Sequence, residues 1–61
     1  MFLMIDGELL NLANVTAVTP IESHGCIVQF NGGEARTYKA VTPETFAKAI
    51  TSGDLVHFVE D

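Results

Sequence analysis

Sixty-one residues make one small domain, and a chain of this size buries only about 60% of its unfolded surface. Eight acidic and three basic residues give a net charge of −5. DNA- and RNA-binding domains concentrate Lys and Arg on one face, so direct nucleic-acid binding is disfavoured. The single cysteine excludes an intramolecular disulfide. No apolar run approaches the roughly 20 residues of a membrane-spanning helix, and no signal-peptide pattern opens the chain, so we expect a cytoplasmic protein without membrane contact.

The N-terminal segment predicts a hairpin. Asp6-Gly7 is a favoured two-residue turn, because both positions tolerate positive φ, and short apolar runs flank it at Phe2–Ile5 and Glu8–Leu12. A two-residue turn pairs Ile5 with Glu8 and Phe2 with Asn11. Strand alternation then divides the apolar side chains between two faces. We expect a core face of Leu3, Ile5, Leu10 and Leu12, and an opposite face of Phe2, Met4 and Leu9.

Three further strands are predicted before the helix. Val15–Thr19 is rich in β-branched residues and ends at Pro20, which cannot donate a ladder hydrogen bond. A polar turn, Glu22-Ser23-His24-Gly25, separates it from Cys26–Phe30, and Asn31-Gly32-Gly33 separates that strand from Glu34–Ala40. A loop of two or four residues places Cys26, Val28 and Phe30 inward and Ile27, Gln29, Arg36 and Tyr38 outward. A three-residue bulged loop would reverse this relation.

Thr42-Pro43-Glu44 is a helix start. Thr42 suits the N-cap, Pro43 the first helical position, and Gly53 the C-terminal cap, so we expect a helix of about nine residues. Phe46, Ala49 and Ile50 recur at i, i+3 and i+4, as on a buried face. Leu55–Val59 reads as a last strand. Residues 1–61 are thus expected to form one α+β domain: a small antiparallel sheet of about five strands in two hairpins, one short helix packed on it, and a C-terminal strand.

No group of residues predicts catalysis or a cofactor. His24 and Cys26 lie two apart, but a free cysteine at a core position usually acts as a small hydrophobe, and no orienting third group is present. Zinc sites show paired ligands at short spacing, which are missing here. The loop Asn31-Gly32-Gly33 runs into Glu34, which would repel a phosphate. We therefore expect a non-enzymatic protein with no cofactor and no metal.

The apolar surplus on the strands suggests an interface. A short helix cannot cover both faces of a sheet, and exposed apolar patches with Tyr and Arg resemble protein-binding hot spots. The candidate interface comprises Phe2, Met4, Leu9, Ile27, Arg36, Tyr38, Leu55 and Phe58.

Between Leu3 and Ile50 the pattern resembles the very small bacterial and phage proteins of the FlbD type. The shared points are Asp6-Gly7 after a strand, Asn11-Leu12-x-Asn14-Val15, strands around Phe30-Asn31-Gly32, and one terminal helix. The extension Leu55–Asp61 and the low basic content depart from that pattern. The resemblance implies the fold and a bacterial or phage origin, and it carries over no functional residues.

Three hypotheses follow. The favoured one is a self-associating interaction protein, a homodimer or higher oligomer that also binds another protein, such as a phage-encoded inhibitor or modulator of a host protein. The second is a binder of a nucleotide signal in an intersubunit pocket, with Arg36, Lys39 and Tyr38 contacting phosphate and base. The third is a small bacterial regulator that acts on nucleic acid.

Overall fold

The structure, a computed structural model, describes residues 1–22 and 24–59. Ser23, in the predicted turn, and the acidic pair Glu60-Asp61 lie outside the described residues. Within them the chain forms six strands and one α-helix, in the order β1 (Phe2–Ile5), β2 (Glu8–Asn11), β3 (Val15–Pro20), β4 (Cys26–Phe30), β5 (Ala35–Tyr38), α1 (Pro43–Thr51) and β6 (Val56–Val59). A 3₁₀ turn, Leu12–Asn14, joins β2 to β3. The expected α+β class is confirmed.

The strands form two three-stranded sheets rather than the single sheet expected. The first sheet has the order β2-β1-β6 and the second β3-β4-β5. Strand β6 lies parallel to β1, so the chain passes through α1 before it returns to the free edge of the first hairpin. Parallel strands are joined by a long crossover connection, so the paired residues of β1 and β6 lie far apart in the sequence. No local sequence pattern therefore predicts this pairing.

The first hairpin confirms its predicted register. Phe2 pairs with Asn11 and Ile5 with Glu8. Asp6 and Gly7 both have positive φ, 52° and 78°, as a two-residue turn that matches the strand twist requires. The predicted core face is buried: Leu3, Ile5, Leu10 and Leu12 are each at most 9% exposed.

The second hairpin has the three-residue loop, so the expected outward placement of Arg36 and Tyr38 is wrong. The Phe30 N–H donates to the Glu34 carbonyl at 2.8 Å, which leaves residues 31–33 as the loop. Tyr38 pairs with Cys26 and Arg36 with Val28, and paired residues share a face. The loop has one residue more than a two-residue turn, and this extra residue shifts the register by one; Gly32 and Gly33 both adopt positive φ within it. Arg36 and Tyr38 therefore lie on the inner side of the second sheet.

Helix α1 has the predicted bounds, with Thr42 at the N-cap and Gly53 at a φ of +79° just beyond its end. The Thr42 side chain makes no capping hydrogen bond. Phe46 and Ala49 are buried, but Ile50, expected inward, is 55% exposed. The helix contacts the core along a narrow line through residues 46 and 49, so the neighbouring position 50 lies beyond its contact with the sheets.

The core lies between the inner faces of the two sheets and against α1. Its buried residues are Leu3, Ile5, Leu10, Leu12, Cys26, Val28, Val41, Phe46 and Ala49. Each sheet thereby has one covered face, and the function of the chain has to be sought on the other faces and at the edges.

Candidate functional site

The side of the first sheet that faces away from the core is almost entirely apolar. Strand register arranges six side chains there in two rows across β2, β1 and β6. One row is Leu9, Met4 and Phe58, and the other is Asn11, Phe2 and Val56. We call these six positions the outer face. It carries no ionisable side chain, because Glu8 and His57 pair with Ile5 and Leu3 and thus point to the core side.

No described element covers the outer face. The buried side chains of α1, Phe46 and Ala49, belong to the core cluster together with Leu3 and Ile5, which places the helix on the opposite side of the sheet. Phe58 is 71% exposed and Leu9 50%, while Phe2, Met4 and Val56 are half-buried by their neighbours. Antiparallel sheets with one solvated face usually alternate apolar and polar residues. Here β1 and β6 are apolar on both sides apart from His57.

The outer side of the second sheet is different in character. Ile27 is 38% exposed there, and its paired residues are Thr19 on β3 and Thr37 on β5. Ile27 is therefore a large apolar side chain between two threonines, which is ordinary for a protein surface.

Arg36 and Tyr38 join the two sheets through Glu8. The Tyr38 hydroxyl donates to Glu8 Oε1 at 3.0 Å, and Arg36 Nη1 donates to Glu8 Oε2. Arg36 Nη2 reaches Glu34 Oε1 at 3.4 Å, and its guanidinium lies 5.8 Å from the centre of the Phe30 ring. We call Glu8, Arg36 and Tyr38 the inter-sheet clamp, because it ties β2 of the first sheet to β5 of the second.

The clamp shifts the pKa values of its members. Hydrogen bonds from Arg36 and then Tyr38 lower the pKa of Glu8 below its ordinary 4.5. Burial and then the hydrogen bond to the Glu8 carboxylate raise the pKa of Tyr38 above its ordinary 10.0. The Glu8 hydrogen bond raises the pKa of Arg36, which stays cationic. The three groups are thus held as carboxylate, guanidinium and neutral phenol at neutral pH.

The structure brings together half of the candidate interface residues. Phe2, Met4, Leu9 and Phe58 share the outer face; Ile27 lies on the other sheet, and Leu55, 73% exposed, lies at the end of the first sheet next to β6. Sequence reasoning missed Val56 and Asn11 as members of the face. The alternation of Val56 with Phe58 was a signal, but only the pairing of β6 with β1 shows which side they share.

The remaining polar features offer little chemistry. Cys26 is fully buried, and burial raises the pKa of its thiol. A groove of about 260 Å³ runs between β2 and the β4–β5 hairpin, lined among others by Asn11, Asn14 and Phe30. It is smaller than typical ligand pockets of about 300 to 1,000 Å³. Among the described residues, no three His, Cys, Asp or Glu side chains cluster closely enough to hold a metal ion.

No helix in the described part of the chain is long and apolar enough to cross a membrane. Comparison with known proteins finds no matching family, no similar curated protein and no similar solved structure.

Proposed function

We propose that this chain is a non-enzymatic interaction protein that binds protein through the outer face of its first sheet. The supporting observation is the arrangement of five apolar side chains and one amide in two rows, with no ionisable group at these six positions and no covering element among the described residues. Exposed apolar patches of a few hundred Å² on small proteins commonly mark binding sites.

The exposed apolar area of this face favours association. Leu9 and Phe58 are 50% and 71% exposed, so together they present on the order of 200 Å² of apolar surface. At about 25 cal/mol per Å², covering it would contribute roughly 5 kcal/mol before the entropy of association is subtracted. A partner that also covers Phe2, Met4 and Val56 gains more.

The two alternative functions find less support. Arg36, one of the two cations expected to contact a nucleotide, is already paired with Glu8 and Glu34, and two carboxylates beside a phosphate would oppose its binding. A net charge of −5 works against nucleic-acid binding. The finer part of the proposal is that the bound protein belongs to a host and that this chain is a phage-encoded inhibitor or modulator of it.

A paired affinity experiment tests the proposal. Tagged wild-type, Phe58→Glu and Ile27→Glu chains serve as baits against a cell extract and against an untagged copy of the chain. The two substitutions make the same chemical change at exposed apolar sites on different sheets. We expect one or more proteins on the wild-type and Ile27→Glu baits that are lost from Phe58→Glu. Equal recovery on all three baits would contradict the proposal.

A further inference from the structure

We propose that the protein bound at the outer face is a second copy of the chain, with the two first sheets stacked face to face around a two-fold axis. This inference rests on the proposed function and adds its partner. Three properties of the face favour a second copy: its shape, its lack of charge, and its size.

The shape of the face suits a copy of itself. Three strands of four residues span roughly 14 Å in each direction, from strand spacings of about 4.8 Å and rises of about 3.3 Å. Two sheets pack face to face about 10 Å apart with interdigitated side chains. Met4 lies in the middle of its row, between Leu9 and Phe58, so it would meet the central strand of the copy when the two faces are stacked centre to centre.

The charge distribution also fits self-pairing. A two-fold axis brings each patch against its own image, so a patch with groups of one charge sign would bring like charges together in the interface. Six of the eight acidic residues lie in the described part of the chain, and none of these six occupies the outer face: Glu8 points to the core side, for example, and Asp6 lies in the turn. A partner selected by opposite charge would find no charge here to recognise.

The size of the face sets the expected affinity. A standard interface covers about 800 Å² per partner, which would be roughly a fifth of this chain's 4009 Å² surface. The outer face supplies only part of that area. Interfaces below the standard size are weak or transient, so we expect a dimer with a dissociation constant in the micromolar range.

Sedimentation equilibrium of the purified full chain between about 5 and 500 µM tests the inference, since this range brackets micromolar dissociation. We expect a monomer–dimer equilibrium. Phe58→Glu and Leu9→Glu should weaken it at least about tenfold, and the control Ile27→Glu should weaken it by less than about twofold, because only the first two place like charges in the stacked faces. Because Leu9 and Phe58 are both well exposed, the variants should keep the wild-type circular dichroism.

A salt series adds a second readout. Two copies of charge −5 repel each other, while their contact is uncharged, so raising NaCl from about 0.05 to 0.5 M should strengthen the dimer by screening the repulsion. A dimer that weakens with salt would overturn the stacking of uncharged faces, as would one that survives both face substitutions.

The outcomes separate this inference from the proposed function. A wild-type monomer at 500 µM, combined with a protein captured by wild-type but not by Phe58→Glu, overturns the second copy and leaves the binding face standing. A wild-type monomer with no face-dependent capture overturns both. A dimer lost with Phe58→Glu and Leu9→Glu but kept with Ile27→Glu supports both.

Discussion

At the scale of single residues, two positions hold the second sheet in place. Gly25 precedes β4 with a φ of +99°, and a Cβ there would lie 2.3 Å from the Tyr38 carbonyl oxygen and 2.9 Å from the Lys39 backbone. Glu8 accepts the hydrogen bonds of the inter-sheet clamp from Arg36 and Tyr38. Position 25 excludes a side chain, position 8 requires a carboxylate, and both act on the end of β5.

Gly25→Ala should destabilise the fold by about 2 to 4 kcal/mol, because the new methyl group needs both a left-handed backbone and displacement of β5. Gly32→Ala is the matched control: its φ is +91°, but no atom lies within 4 Å of the added Cβ. Strain alone should limit its effect to about 1 to 2 kcal/mol. Urea unfolding of both variants measures the difference, and equal losses would show that the close approach of residues 25 and 38 is not tight.

The clamp should make stability depend on pH. The folded-state pKa of Glu8 is lowered, so its stabilising contribution is present above the ordinary value of 4.5 and is lost as pH falls through the folded-state pKa. We expect Glu8→Gln to lower the melting temperature at pH 7 and to converge with wild type toward pH 2. The Glu8 and Arg36 side chains are both largely exposed to solvent, so the difference in melting temperature at pH 7 should be small.

Thermal unfolding followed by circular dichroism between pH 2 and 8 provides the test. Glu34→Gln is the control, because Glu34 contacts Arg36 at 3.4 Å and does not contact Tyr38 in the described hydrogen bonds. Its pH profile should stay close to that of wild type. A constant gap between Glu8→Gln and wild type across this range would mean that Glu8 acts through packing rather than through charge.

At the scale of secondary-structure elements, an element could be predicted where the interactions that determine it lie close together in the sequence. The Asp6-Gly7 turn fixes its register within two residues, and the Thr42-Pro43 start and Gly53 end bound the helix, so both were predicted correctly. Asn31-Gly32-Gly33 is compatible with loops of two, three or four residues. The expectation of an even number of loop residues wrongly placed Arg36 and Tyr38 on the outer side. The position of β6 beside β1 depends on packing distant in sequence, so neither the two sheets nor the full outer face could be derived.

Deleting Gly33 tests the register of the second hairpin. The deletion leaves a two-residue Asn31-Gly32 turn between Phe30 and Glu34, so these two residues can remain the closing pair and Tyr38 can stay opposite Cys26, on the side of Glu8. We expect at most a modest loss of stability, because Asn-Gly is a favoured two-residue turn and the clamp is kept.

The single tyrosine reports the register directly, since its ionisation can be followed by ultraviolet absorbance. In wild type, Tyr38 should titrate above its ordinary pKa of 10.0, and the deletion variant should keep this raised pKa. Gly32→Ala keeps the loop length and should also retain the raised pKa. A folded deletion variant in which Tyr38 titrates at its ordinary pKa would contradict the observed register.

At the scale of the whole molecule, the outer face and the small size of the chain are linked. A domain of 61 residues has a thin stability margin, and one of its two sheets exposes apolar side chains on the side away from the core. Covering that face with a second copy would place the first sheet between two apolar layers. Association would then contribute to folding as well as to function.

If dimerisation stabilises the fold, the melting temperature should depend on concentration. Once the dimer dominates, each tenfold rise in concentration adds RT ln 10, about 1.4 kcal/mol per dimer or roughly 0.7 per chain. For a domain of this size about 1 kcal/mol corresponds to 4 to 8 °C, so we expect a rise of roughly 3 to 6 °C per decade. Phe58→Glu should show a smaller rise than wild type, because its dimer is weaker, and Ile27→Glu should follow wild type. Scanning calorimetry measures this, and a wild-type melting temperature independent of concentration would mean that the chain folds without help from a second copy.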